Sequence, residues 1–171
     1  MQRITLILLL TQALSSCLDK EPQDRSKVAE SYIVPLRSIT DNAIDHQKLQ
    51  FRGKEGEKLA YAPNEQTPYT GYIKVLGGKG NFIMISHIKA GQLDGRRMIW
   101  YSNRKLAEES VFMEGKLMWA KVWKPTGKEG TPYGENCTET NVSKGNGVLV
   151  IYEENGSESL RQTYKDGIVV D

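Results

Sequence analysis

The chain has 171 residues, with 23 Lys or Arg against 21 Asp or Glu and a formal net charge of +2. That length suits one domain with a modest core. Basic and acidic residues are interspersed, which argues against a nucleic-acid surface and gives no sign of an acidic substrate.

The chain opens on a short positive start, "MQR", followed by the apolar run "ITLILLLTQAL" and then "SSC". This run is too short to span a bilayer, which takes ~20 apolar residues, and reads as a signal peptide over residues 1–16. Leu14-Ser15-Ser16-Cys17 resembles the lipobox of bacterial lipoproteins. The resemblance implies that the Cys17 thiol carries a diacylglycerol, that the chain is cut before it, and that lipid anchors the protein to a bacterial membrane on the periplasmic or surface side. Two or three acyl chains anchor stably where one is marginal. The alternative is ordinary signal cleavage nearby, which leaves Cys17 free to pair with Cys137.

Residues 17–47 read as the lipidated cysteine, a polar tether ("LDKEPQDRS") and a segment without a clear pattern. Within it "SKVAESYIV" fits a short helix stopped by Pro35, or a strand. The folded domain is expected over residues 48–171. "KLQFRGKEGEKLAYA" should open it as a hairpin turning at Gly53 to Gly56.

From Gly71 onward the sequence repeats. Gly147, Tyr152, Gly156, Tyr164 and Gly167 share their offsets with Gly95, Trp100, Arg104, Phe112 and Gly115, and with Gly71, Leu76, Gly80, Ile88 and Gly91. The copies lie near 71–94, 95–118 and 147–171. A partial copy at 119–130 carries Trp123 and Gly127. Each copy has two runs of β-forming residues around a turn, and Asn155-Gly156 is a strong hairpin signal. A two-residue turn would set Tyr152 opposite Ser159. A three-residue loop with glycine in the left-handed region would set Tyr152 opposite Glu158, Val150 opposite Leu160 and Trp100 opposite Leu106. The second is preferred because it forms matched apolar pairs in two copies. A lone hairpin is unstable in water, so successive hairpins must share an antiparallel meander. The expected fold is mainly β, a repetitive antiparallel meander forming an open twisted sheet. Residues 128–144 read as a long polar loop interrupting it.

The pattern G-x4-(aromatic)-x3-G-x7-(aromatic)-x2-G resembles the MORN-repeat variant of YwqK-type antitoxin proteins. "YAPNEQTPYTG" is similar to the lead-in of such arrays, and "NCTETNVSKGNGVLVIYEENGSESLRQTYKDG" to their closing segment. The resemblance runs from Leu59 to Asp171. Arg104 stands in place of a turn glycine, Trp119 in place of an opening glycine and Leu76 in place of an aromatic. The family name implies neutralisation of a toxin by direct contact. With export added, it implies an immunity-like role in the envelope, or an envelope scaffold.

No local signature of catalysis or of a cofactor is present. The two histidines, His46 and His87, have no third ligand at metal spacing. Cys137 has acidic neighbours in Glu135 and Glu139, which disfavour a reactive thiolate, so it reads as a buried or idle thiol. "GGKG" at Gly77–Gly80 lacks the Ser or Thr and the following helix of a phosphate loop. Paired carboxylates such as Glu108-Glu109 point to opposite faces of a strand and read as solvated surface. The aromatics remain. Most mark the core, but Trp100 and Tyr101 are adjacent and cannot share one face, so a second aromatic row is expected on the sheet. Trp100, Tyr101, Trp123 and Tyr152 are the candidate binding residues. The expected function is a non-catalytic, membrane-anchored protein-binding module, with a toxin as one candidate partner. The alternative is a cell-envelope enzyme whose site is assembled from loops.

Overall fold

The computed structural model describes residues 36–125 and 134–171. The signal peptide, Cys17, the tether, and Gly127 of the partial copy lie outside them. The described chain is mainly β. A helix α1 (Leu36–Asn42) is followed by β1 (Ile44–Asp45), a 3-10 turn at His46–Lys48, β2 (Gln50–Arg52) and β3 (Leu59–Tyr61). There follow β4 (Gly71–Leu76), β5 (Phe82–Lys89), β6 (Gln92–Trp100), β7 (Leu106–Met113) and β8 (Lys116–Val122). The chain ends in β9 (Gly147–Tyr152), β10 (Glu158–Lys165) and β11 (Ile168–Val169). Strands β4 to β8 form an antiparallel meander in sequence order, with β1 added parallel to β4. Strands β9 to β11 form a second meander, and β2–β3 a separate hairpin.

Two turn geometries alternate. At one end of the strands, Gly77–Asn81, Tyr101–Lys105 and Glu153–Ser157 close in the same way. The first residue donates its N–H to the last carbonyl (2.8–2.9 Å) and its carbonyl accepts from the fourth residue (2.8–2.9 Å). That fourth residue is Gly80, Arg104 or Gly156, with φ of 73°, 67° and 86°. This is the expected three-residue loop with a left-handed third position. It sets Tyr152 opposite Glu158 and Trp100 opposite Leu106. At the other end, Ala90-Gly91, Glu114-Gly115, Lys144-Gly145 and Asp166-Gly167 have positive φ at both central residues, as a type I′ turn requires. Gly71, Gly95 and Gly147 take equivalent places, opposite Ile88, Phe112 and Tyr164 respectively. At Gly147 the glycine is obligatory. Its φ is 132°, and a Cβ there would lie 2.6 Å from the Asn141 carbonyl oxygen.

Three expectations change. Val150 faces Arg161, not Leu160, because a bulge between Glu158 and Leu160 shifts the register by one residue. The segment "SKVAESYIV" lies outside the described residues, and α1 follows Pro35. The domain also opens before residue 48, since β1 already pairs with β4 through Ile44 and Ile73. Finally, the described part of the polar insertion, residues 134–144, is not a free loop. Its backbone runs between the two meanders. Cys137 N–H donates to the Val122 carbonyl (2.9 Å) and Ala120 N–H to that of Val142 (3.3 Å). On the other side Asn141 N–H donates to the Val148 carbonyl (2.9 Å), and the Thr140 hydroxyl accepts from Val150 N–H (2.8 Å). Hydrogen bonding is therefore continuous from β4 to β11.

The inner face of β4–β8 carries two apolar clusters. One joins Phe112, Leu117, Ala120 and Val122 to Cys137, Val142, Leu149, Val150 and Tyr152. The other joins Ile73 and Ile88 to Leu49 and Ala60. Burial of these side chains, ~1.5–3 kcal/mol for each large one, holds the second meander and the β2–β3 hairpin against the first.

Candidate functional site

Because side chains alternate along a strand, the register defines the outer face of β5–β8 residue by residue. Ile85, Met98, Glu109 and Lys121 lie side by side in one row, and Arg96, Val111 and Trp119 in the next. Ile83 precedes Ile85 by two, Trp100 follows Met98 by two, and Met113 follows Val111 by two, so all three share this face. Val111 is 37% exposed, Ile83 39% and Met113 54%, while Met98, Trp100 and Trp119 are half-buried. Helix α1 is tied to the β4 end of the face, where Lys74 Nζ donates to the Thr40 carbonyl (2.7 Å). Across β6–β8 the described residues leave an apolar strip with two tryptophans at its borders. One ion pair crosses it, Arg96 Nη2 to Glu109 Oε1 at 2.7 Å.

The four candidate aromatics divide. Trp100 stands on this outer face. Tyr101, Trp123 and Tyr152 are 7–9% exposed; Tyr101 and Tyr152 turn inward, while Trp123 follows Lys121 by two on the outer side of the strand, its ring covered by the Lys121 ammonium. The insertion contributes to this through Cys137, which packs in one cluster with Tyr152. Tyr101 Oη donates to the Trp123 carbonyl (2.7 Å), and Tyr152 Oη lies 3.4 Å from Cys137 Sγ. Burial, helped by nearby Cys137, Glu154 and Glu153, pushes the Tyr101 phenol up to about 12. The hydrogen bond with Cys137, and then burial, raise the Tyr152 phenol well above its ordinary value. Both phenols stay protonated at neutral pH and act as packing and hydrogen-bonding groups. Nearby, the loops Tyr101–Lys105 and Glu153–Ser157 are clipped together. The Glu154 carboxylate accepts from Ser102 N–H (2.8 Å) and Ser102 Oγ (2.6 Å), bonds that hold its pKa below the usual carboxylate range.

Glu108 and Glu109 do point to opposite faces, but only Glu109 is surface. Glu108 is inward, its side chain 2% exposed, and pairs with Arg97 Nη2 at 2.6 Å. Ser110 Oγ donates to the same carboxylate oxygen (2.7 Å), and the guanidinium lies 4.7 Å from the centre of the Phe112 ring. The sequence reading missed this buried pair, because a Glu-Glu doublet is identical in the two settings. A usable signal was the register itself, which puts Arg97 opposite Ser110 and two residues from Glu108's row. His87 is half-buried, its Nδ1 2.6 Å from the Asp94 carbonyl and its ring edge-on to Tyr72. Cys137 is a buried free cysteine. Among the described residues no three His, Cys, Asp or Glu side chains cluster as metal ligands would, and no helix is long and apolar enough to cross a membrane. No family model, curated protein or solved structure matches the chain.

Proposed function

We propose that this chain is a non-catalytic protein-binding module, held on a bacterial envelope membrane by lipid on Cys17 and presenting the outer face of β6–β8 to another protein. The role it fits is immunity-like or that of an envelope scaffold, with a toxin entering the envelope as one candidate partner. The carrying observation is the apolar strip Met98, Trp100, Val111, Met113 and Trp119. Exposed apolar surface with aromatics and a polar rim is the composition of a protein contact. The scaffold suits that use. The hydrogen-bonded meander fixes the face, and the buried Tyr101 and Tyr152 brace it from within.

The test is parallel capture from membranes with the lipidated wild type and with Val111→Asp. Val111 is exposed and touches no buried cluster, so the variant should keep its melting midpoint. A protein retained by the wild type and lost with Val111→Asp supports the reading. A protein retained equally by both places the contact elsewhere.

A further inference from the structure

The outer face carries an excess of positive charge among its apolar groups. Lys116 is exposed and pairs across the ladder with Met113, and Lys121 is exposed and pairs with Glu109. Glu109 is already engaged by Arg96. Lys121 Nζ instead reaches to 5.1 Å from the Trp123 ring centre. Among the described residues neither lysine makes an ion pair. The face therefore holds three cations, Arg96, Lys116 and Lys121, against two carboxylates: Glu109, held by Arg96, and Asp94, which precedes Arg96 by two and accepts from Glu114 N–H (3.2 Å); Val111, Met113 and Trp119 lie among them. The two lysines stand near the ends of β8, five residues apart or about 16 Å along a strand, and the bulge between Leu117 and Trp119 brings both to the same face.

We propose that the partner docks as an acidic amphipathic helix lying along β7–β8. This rests on the binding reading above and adds the partner's chemistry. A helix is the element that covers a sheet face with a single apolar stripe. Charge complementarity requires carboxylates where Lys116 and Lys121 stand. On a helix rising 1.5 Å per residue, a span of about 16 Å is roughly eleven residues, or three full turns. Carboxylates so spaced return to the same side of the helix, with room between them for apolar residues at three- and four-residue intervals. Those apolar groups meet Met98, Val111, Met113 and Trp119.

The probes are two synthetic helical peptides of about eighteen residues with one Leu-rich stripe. One carries Glu at the two positions about eleven residues apart; the other carries Lys there. Binding is read from the tryptophan emission of the full-length, lipidated protein in detergent and by calorimetry. The acidic peptide should bind roughly tenfold or more tighter than the basic one, with the difference shrinking at high salt. The double variant Lys116→Glu/Lys121→Glu should reverse the preference. Equal binding of both peptides, binding of neither, or an acidic preference that survives the reversal overturns the proposal. A partner captured through Val111 would still stand in each of those cases, so the two readings fail separately.

Discussion

Arg104→Gly should make the protein more stable. Arg104 is the left-handed residue of the Tyr101–Lys105 loop, at φ 67°, where the matching loops hold Gly80 and Gly156. An L-residue in this region costs ~1–2 kcal/mol through contact of Cβ with the backbone. Glycine removes that cost but returns ~0.4–1 kcal/mol to the unfolded chain as added freedom. The Arg104 side chain is exposed and makes no ion pair among the described residues, so nothing else is lost. The net gain is up to ~1 kcal/mol, or roughly 4 °C in midpoint for a domain of this size. Gly80→Ala is the converse control. A Cβ there meets nothing within 4 Å, so its cost is conformational alone, ~1 kcal/mol in the unfavourable direction. Thermal melts followed by circular dichroism measure both. A fall in midpoint for Arg104→Gly would refute the shared loop geometry, as would a neutral Gly80→Ala.

The neighbouring aromatics should separate. Tyr101→Ala should cost ~3 kcal/mol or more as a buried ring is removed, and Trp100→Ala much less, as denaturant melts would show. Glu108→Ala should cost ~3–5 kcal/mol by leaving the Arg97 charge unpaired, while Arg97→Met/Glu108→Leu together should be far milder; equal losses would mean the pair is not coupled. Because the Tyr101 pKa is raised from 10 to about 12, its contribution is intact below pH 10 and lost as pH rises through 12. Tyr101→Phe should flatten that alkaline loss in pH-dependent melts. Cys17→Ser should release the protein from membranes in detergent phase separation, and retention would end the lipid-anchor reading.

Glycine spacing made the turns and most of the register legible, because a left-handed position leaves a visible mark in the sequence. The bulge at Ser159 left no such mark, and it alone moved Arg161 opposite Val150. The two-residue β1 is too short to show any alternation, and its parallel pairing with β4 is set by tertiary contact. The insertion looked like a loop because its composition is polar. Only Cys137 and Val142 turn inward, and its hydrogen bonds join β8 on one side to β9 on the other. The same contact decided the candidate aromatics. Adjacency of Trp100 and Tyr101 required opposite faces, but which one is buried depended on the Trp123 carbonyl. Met98, Val111, Met113 and Trp119 became a surface only once the register was known.

The central claim is that the outer face of β6–β8 is a protein contact. It is tested most directly by a photoreactive residue placed at Val111 in the lipidated protein on intact cells, with a matched probe at Glu57 in the exposed β2–β3 turn. A discrete crosslinked product is expected from position 111, suppressed by Lys116→Glu/Lys121→Glu and missing from position 57. The same products from both positions, or none from position 111, would contradict it.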